Sequence, residues 1–161
     1  MRLVGYDYAW PGIFYVTVCT AGWRCTLGSL DDGVFASTPV GQIVAEEWLR
    51  TPVVRPEVDL DAFVVMPNHL HALLVIGETE SERGRSGEFH RAARSLGAVM
   101  AGYKSAVTHR VRQLPGWAGR DVWQRGYYEH IVRDDQALDS IRAYIAANPA
   151  NWRKDKHNRA P

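Results

Sequence analysis

Sulfur and long apolar runs are both scarce in this sequence. Its only cysteines are Cys19 and Cys25. Two thiols without a second pair make a poor zinc site, and in a reducing compartment they stay free, so neither is assigned any chemistry. No apolar run approaches the roughly 20 residues needed to cross a bilayer, so no membrane partner is expected. The opening Met1-Arg-Leu-Val-Gly-Tyr-Asp7 lacks the apolar core of a secretory signal, which makes the cytoplasm the expected location. Repeats and low-complexity tracts are missing too, which excludes solenoid and fibrous architectures. What remains is 161 residues, 46% hydrophobic and 23% charged. That is enough for one domain over 1–161 with a proper core, and too little to expect two.

Net charge is also low, at +1, but the balance hides a strong asymmetry. Residues 1–82 carry 4 Lys/Arg against 11 Asp/Glu, whereas residues 83–125 carry 9 against 2. Arg94, Lys104, Arg110, Arg112 and Arg125 belong to that basic stretch. Concentrated positive charge suits a polyanion such as nucleic acid, and equally suits a solvated helix face beside a basic loop.

The hydrophobic pattern alternates between two periods. Gly12–Thr20 alternates β-branched and aromatic residues and is expected to be a strand. Gly22–Pro39 is rich in turn residues, with Asp31-Asp32-Gly33 the strongest turn signal and room for short extended pieces. Ile43, Val44, Trp48 and Leu49 predict an amphipathic helix over Val40–Arg50, stopped by Pro52. Leu60–Met66 and His69–Ile76 read as a hairpin broken at Pro67-Asn68. Residues 77–95 show no periodicity and are expected to form a surface loop. Leu96–Leu114 repeats apolar residues every three or four positions and ends before Pro115-Gly116. Trp123–Val132 is aromatic and extended, and a last helix runs from Gln136 to about Asn148, capped by Asp134-Asp135 and closed by Pro149. The order β-α-β-β-α-β-α predicts an α+β protein with a split βαβ (ferredoxin-like, RRM-like) arrangement. Its four-stranded antiparallel sheet has helices on one face and a C-terminal helix that carries a tyrosine.

Within the third strand, His69-Leu70-His71 interrupts an otherwise apolar run. A period of two sends both imidazoles to the same face, near enough to share a metal ion. Two half-buried histidines with separate hydrogen-bond partners are the alternative. On the last helix, Tyr144, Ile141 and Asn148 fall within roughly 60° of one another around the axis, on or beside the core-facing stripe. A tyrosine packed at the rim and an Asn that merely closes the helix are the plain reading of that pair. Taken together, two imidazoles and an amide oxygen would hold a metal with open positions for a phosphate, beside a tyrosine one helical turn away.

Val65-Met-Pro-Asn-His-Leu-His71 resembles the HUH motif (histidine, bulky hydrophobic, histidine) of the single-tyrosine transposases of IS200/IS605-type insertion sequences. The likeness extends to Tyr6-Asp-Tyr8, Tyr15-Val-Thr-Val-Cys19, Tyr103-Lys-Ser-Ala-Val107, Val122-Trp-Gln-Arg-Gly-Tyr-Tyr-Glu-His130 and Ile141–Trp152. This ordered set is most similar to the REP-associated tyrosine transposases and covers nearly the whole chain, apart from residues 77–95 and the last few. The resemblance implies an enzyme that binds hairpin DNA of the REP-palindrome kind and cuts single strands beside it, as a monomer or homodimer, at the nucleoid. It implies that His69 and His71 hold a divalent ion, Mg²⁺ or Mn²⁺. Asn148 falls at the third-ligand position, where many relatives carry Gln. It implies further that Tyr144 attacks the phosphate to give a 5′-phosphotyrosine. Lys104, Arg110, Arg112, Arg125 and Arg94 would line the DNA path, with Trp123, Tyr127 or Tyr128 stacking on unpaired bases.

Two other functions fit parts of the pattern. A module that holds structured DNA or RNA without cutting needs the basic segment and not the metal. A phosphoesterase using two histidines as acid and base needs a second histidine motif, for which His130 is the candidate.

Overall fold

The computed structural model describes residues 12–77 and 95–159. Tyr6–Tyr8, Arg94 and all but the ends of the 77–95 segment lie outside that range. Alternating residues 13–19 form strand β1 (Ile13–Cys19), the first strand of the main sheet. A small hairpin of β2 (Gly28–Asp31) and β3 (Val34–Ser37) follows. Its turn is set by Asp32 and Gly33, both with positive φ (48° and 78°), the backbone that a tight two-residue hairpin demands.

Helix α1 (Pro39–Val54) starts where Thr38 accepts a bond from the Gly41 amide at 3.1 Å, with Pro39 preset for the first turn. The expected stop at Pro52 is corrected: the helix runs through it to Val54. Proline removes one amide donor. Thr51 Oγ1 nevertheless bonds the Glu47 carbonyl (3.0 Å), and the Arg55 amide bonds the Thr51 carbonyl (2.8 Å), so the last turn stays closed.

Strands β4 (Val58–Met66) and β5 (His69–Ile76) form the predicted hairpin, with a register shift between Leu60 and Phe63. Helix α2 (Leu96–Val111) is capped by Ser95 and ends three residues earlier than the periodicity suggests. Single turns carry the chain on to Leu114, whose amide bonds the Val111 carbonyl. The strand expected over Trp123–Val132 shrinks to β6 (Tyr128–Val132). Gly126, at φ 77°, turns the chain just before it, and Lys104 Nζ holds the turn through the carbonyls of Gln124 and Gly126. Helix α3 (Asp135–Ala147) starts at Asp134, whose Oδ1 accepts from the Ala137 amide at 2.7 Å.

The sheet order is β4-β5-β1-β6 with every neighbour antiparallel, the split βαβ topology. Phe14, Val16 and Val18 with Leu70, Ala72 and Leu74 face α1 and α2, where Trp48 and Tyr103 meet edge to face at 5.1 Å. The opposite face carries Ile13 and Leu73, which α3 covers with Leu138 and Ile145. Because side chains alternate along β5, the residues sharing Leu73's face are His69 and His71. The tyrosine helix and the histidine pair therefore lie on one side of the sheet, with α1 and α2 on the other. Among the described residues no helix is long and apolar enough to cross a membrane.

Candidate metal and nucleophile site

His69 and His71 are 0% and 1% exposed, with ring centroids 4.4 Å apart. Asn68, in the tight turn before them, decides the state of the first ring. Its Nδ2 donates to the carbonyls of Trp23 (3.2 Å) and His157 (2.8 Å). The amide oxygen is thereby turned onto His69 Nδ1 at 2.8 Å, and an oxygen that can only accept requires a proton on that nitrogen. Nε2 of His69 is left with a bare lone pair, and no hydrogen-bond partner meets it.

His71 is held from the neighbouring strand. Thr17 stands opposite it in register, and both Thr17 Oγ1 and Tyr15 Oη lie 2.8 Å from His71 Nδ1. Its Nε2 also has no partner. Burial pushes the His71 pKa down to about 3, helped by the positive charge that His157 and Lys156 would add. His69 is pushed far down by burial first, then by repulsion from His71 and His157. Both rings are therefore neutral near pH 7, the form that ligates metals. Burial drives the Tyr15 phenol up to about 12, which keeps it a neutral hydrogen-bonding group.

The last helix brings the remaining two candidates. Asn148, at the C-terminal end of α3, is buried beside His69, and its Oδ1 has no hydrogen-bond partner. One turn earlier, Tyr144 is 44% exposed and meets His71 edge-on at 5.4 Å between ring centroids. The buried centre of α3 is Leu138 and Ile145, so Tyr144 sits at the margin of the packed stripe, facing a cleft. That cleft encloses about 750 Å³ and is lined by Tyr15, His71, Arg125, Tyr127, Tyr144 and Lys156, among others.

The sequence pattern does not point to Asp155 and His157. They lie in the segment after the 3₁₀ turn Trp152–Lys154 and join His69 and His71, with one ligand atom of each within 4.8 Å of the others. Asp155 Oδ1 accepts from the His157 amide and lies 2.9 Å from its Nδ1. Only the spacing Asp155-Lys-His157 hinted at them, and no periodic element carries it.

The basic candidates divide by what they touch. Arg125 is exposed at the cleft mouth. Lys104 and Arg112 line a second, polar hollow with His109 and Asp121, although two donors of Lys104 already serve backbone carbonyls. Arg110 is engaged by Glu46 (2.6 Å) and Glu47 (2.9 Å) on α1. Tyr127 and Tyr128 line the main cleft, but Trp123 does not: its ring packs in the core, 6.2 Å from Tyr103. Trp123 is 9% exposed, and what it does expose borders the second hollow beside Lys104 and Arg112, away from Tyr144. His130 is exposed on β6 and lies outside the histidine cluster. Cys19 and Cys25 are free thiols, and burial raises Cys19 to about 11, which keeps it protonated and unreactive.

No protein-family model matches the chain. An uncharacterized protein of Haemophilus influenzae is 31% identical over 169 residues, covering 97% of this chain and 90% of its own, and the two belong to one family. Among solved structures, a REP-associated tyrosine transposase bound to a REP hairpin superposes with a TM-score of 0.63, covering 94% of this chain and 74% of its own. The sequences there are 20% identical, so the likeness is one of fold: an α+β transposase fold built on a four-stranded antiparallel sheet.

Proposed function

We propose that this chain, which has the fold of a REP-associated tyrosine transposase, is a single-tyrosine HUH transposase of the IS200/IS605 type that nicks and rejoins single-stranded DNA beside a hairpin. The observation that carries this reading is the Tyr144 ring meeting His71 edge-on at 5.4 Å, while the buried Nε2 atoms of His69 and His71, and Asn148 Oδ1 on the residue beside His69, have no hydrogen-bond partner. Unpaired buried polar atoms are costly, and two imidazole nitrogens with an amide oxygen nearby would suit a divalent cation, Mg²⁺ or Mn²⁺. When bound, such an ion would polarise the phosphate and offset charge that builds up on its oxygens.

The protein's own residues account for the rest. Tyr144 Oη attacks phosphorus, the new bond being Oη–P and the broken one P–O3′. The phenolic proton ends on the departing 3′-hydroxyl, so the products are a 5′-phosphotyrosine and a free 3′-OH. One phosphodiester replaces another, so the step needs no external energy source and reverses to rejoin a strand. Arg125 and Lys156 at the cleft supply cationic contacts for the backbone, and Tyr127 and Tyr128 offer faces for unpaired bases. The partner we propose is a REP-like hairpin, the ligand of the structural neighbour, met by residues 1–161 acting as one domain at the nucleoid.

A labelled hairpin carrying a single-stranded flank, incubated with the protein and Mn²⁺, should yield an adduct that survives denaturation. Tyr144→Phe should abolish the adduct and leave hairpin binding intact. An adduct from the Phe variant rules Tyr144 out. Tight hairpin binding with no nicking at any metal concentration would instead favour a module that binds structured DNA or RNA without cutting it.

A further inference from the structure

We infer that Tyr15 Oη donates a hydrogen bond to a phosphate oxygen of the single strand in the cleft, and that Thr17 is the positioning residue that leaves this proton free. The inference rests on the proposed function, in which His71 is a metal ligand. It adds a substrate contact that neither the metal nor Tyr144 supplies.

A count of protons supports it first. Nδ1 of His71 is taken by Thr17 Oγ1 and Tyr15 Oη, each 2.8 Å away, so only the unpartnered Nε2 is free to ligate. A neutral ring with a bare Nε2 carries its proton on Nδ1, and both hydroxyl oxygens therefore face a donor there. One contact among the three groups remains, in which Thr17 Oγ1 donates to Tyr15 Oη at 3.4 Å. Thr17 is 4% exposed, and this contact gives its buried proton an acceptor. The proton of Tyr15 is the one left over, and among the described residues no group accepts it.

The surroundings of Tyr15 show where that proton can go. Tyr15 is partly buried and lines the cleft that holds Tyr144. Its ring is already engaged: it stacks on His71 at 5.7 Å and packs against the cluster of Ile13 and Leu73, while Tyr128 crosses it at 71°. The hydroxyl, rather than a ring face, is what it offers a strand. Tyr144 meets the same imidazole at 5.4 Å, so the two phenols are neighbours across His71.

Charge selects the acceptor. Arg125 and Lys156 line this cleft as well, which favours an anionic oxygen over the edge of a base. An oxygen that accepts from His71 and Thr17 is also a stronger donor, because hydrogen bonds in a chain polarise one another. Thr17 thus serves two ends of the chain, fixing the tautomer of His71 and turning the Tyr15 hydroxyl outward.

The test reads binding rather than cleavage. A fluorescent hairpin with a single-stranded flank is bound by the Tyr144→Phe protein, and the flank phosphates are replaced one at a time by neutral methylphosphonates. Adding Tyr15→Phe should weaken binding of the unmodified DNA roughly tenfold, the worth of a hydrogen bond to a charged group. A methylphosphonate at one flank position should remove that loss, whereas at the others the loss persists. A hairpin without the flank should bind equally with and without Tyr15→Phe. Calorimetric titration of the DNA-free protein with Mn²⁺ examines the other end. Affinity should hold in Tyr15→Phe, fall roughly tenfold in Thr17→Val and recover in Thr17→Ser. Unweakened binding of flanked DNA by Tyr15→Phe overturns the inference, and so does a loss that no methylphosphonate removes. Mn²⁺ affinity that falls in Tyr15→Phe and holds in Thr17→Val overturns the order of the chain. The adduct assay is scored separately: full coupling at one phosphate in a protein whose wild type never forms an adduct refutes strand cleavage and leaves this contact standing.

Discussion

Asn68 and His69 are neighbours in sequence, and a single 2.8 Å contact between the amide oxygen and Nδ1 determines which nitrogen of the histidine is free. The other end of the same amide is anchored on two carbonyls, so it cannot turn over without breaking both bonds. A ring presented in one tautomer needs no rearrangement to accept a metal.

Replacing Asn68 should therefore injure the site without touching a ligand. Asn68→Ala frees the His69 ring to adopt either tautomer and releases the Trp23 and His157 carbonyls. Affinity for Mn²⁺ should drop about 10- to 100-fold, the usual cost of losing an orienting partner. Calorimetric titration measures it. Affinity within twofold of wild type would show that strand packing alone orients the ring.

The buried imidazoles also predict how stability depends on pH. Both folded-state pKa values lie below the ordinary value of 6.5, His71 at about 3. As pH falls below 6.5 the unfolded chain takes up protons that the folded protein refuses. The stabilising contribution is therefore complete above 6.5 and drains away toward pH 3. The slope is at most about 1.4 kcal/mol per pH unit for each ring. Denaturant melts of the metal-free protein at pH 7.5, 5.5 and 4.5 would trace it, and His71→Asn should flatten it. A wild-type stability unchanged between 7.5 and 4.5 would contradict the assignment.

Much of this centre is legible in the sequence because it obeys two periods. The interval of two along a strand puts His69 and His71 on one face, and the interval of four along a helix puts Tyr144 one turn from Asn148. Asp155 and His157 obey neither. Their segment has no repeating pattern, and it reaches the site through Asn68 and Trp23, contacts between positions far apart in the chain. Arg110 shows the same blindness in reverse: counting charge finds a cation, but not that Glu46 and Glu47 of another helix already hold it. Pro52 misleads because bonds on either side of it, to the Glu47 and Thr51 carbonyls, keep the last turn closed without its amide.

The helix that carries Tyr144 is tied to the sheet by Arg142, two residues earlier. Its Nη2 and Nε reach the two carboxylate oxygens of Asp61 at 2.5 and 3.0 Å, which holds the guanidinium above and the carboxyl below their ordinary ranges. Arg142 is 44% exposed, so the pair is discounted to about 0.5–1 kcal/mol. Arg142→Ala should lower the melting temperature slightly and slow adduct formation more than it weakens hairpin binding, because the nucleophile loses its alignment. A double-mutant cycle with Asp61→Ala isolates the pair. Independent effects on the adduct rate would show that the pair does not position α3.

Lys104 and Arg125 look equivalent as charges, and the structure makes them differ. Lys104 Nζ donates to the carbonyls of Gln124 and Gly126, the turn that leads into Arg125 and then β6. Burial lowers its pKa by withdrawing the ammonium group from water. Arg125 is exposed and lines the cleft that holds Tyr144. A cation that meets a phosphate releases a counterion, so removing it lowers the slope of log K against log salt by about one. Arg125→Ala should show that change with an unaltered melting temperature. Lys104→Met should do the opposite, destabilising the fold by about 1–3 kcal/mol as two carbonyls lose a charged donor, while the salt slope holds. Salt-dependent binding of a fluorescent hairpin by each variant decides the matter, and a slope change at Lys104 equal to that at Arg125 would return the lysine to the DNA path.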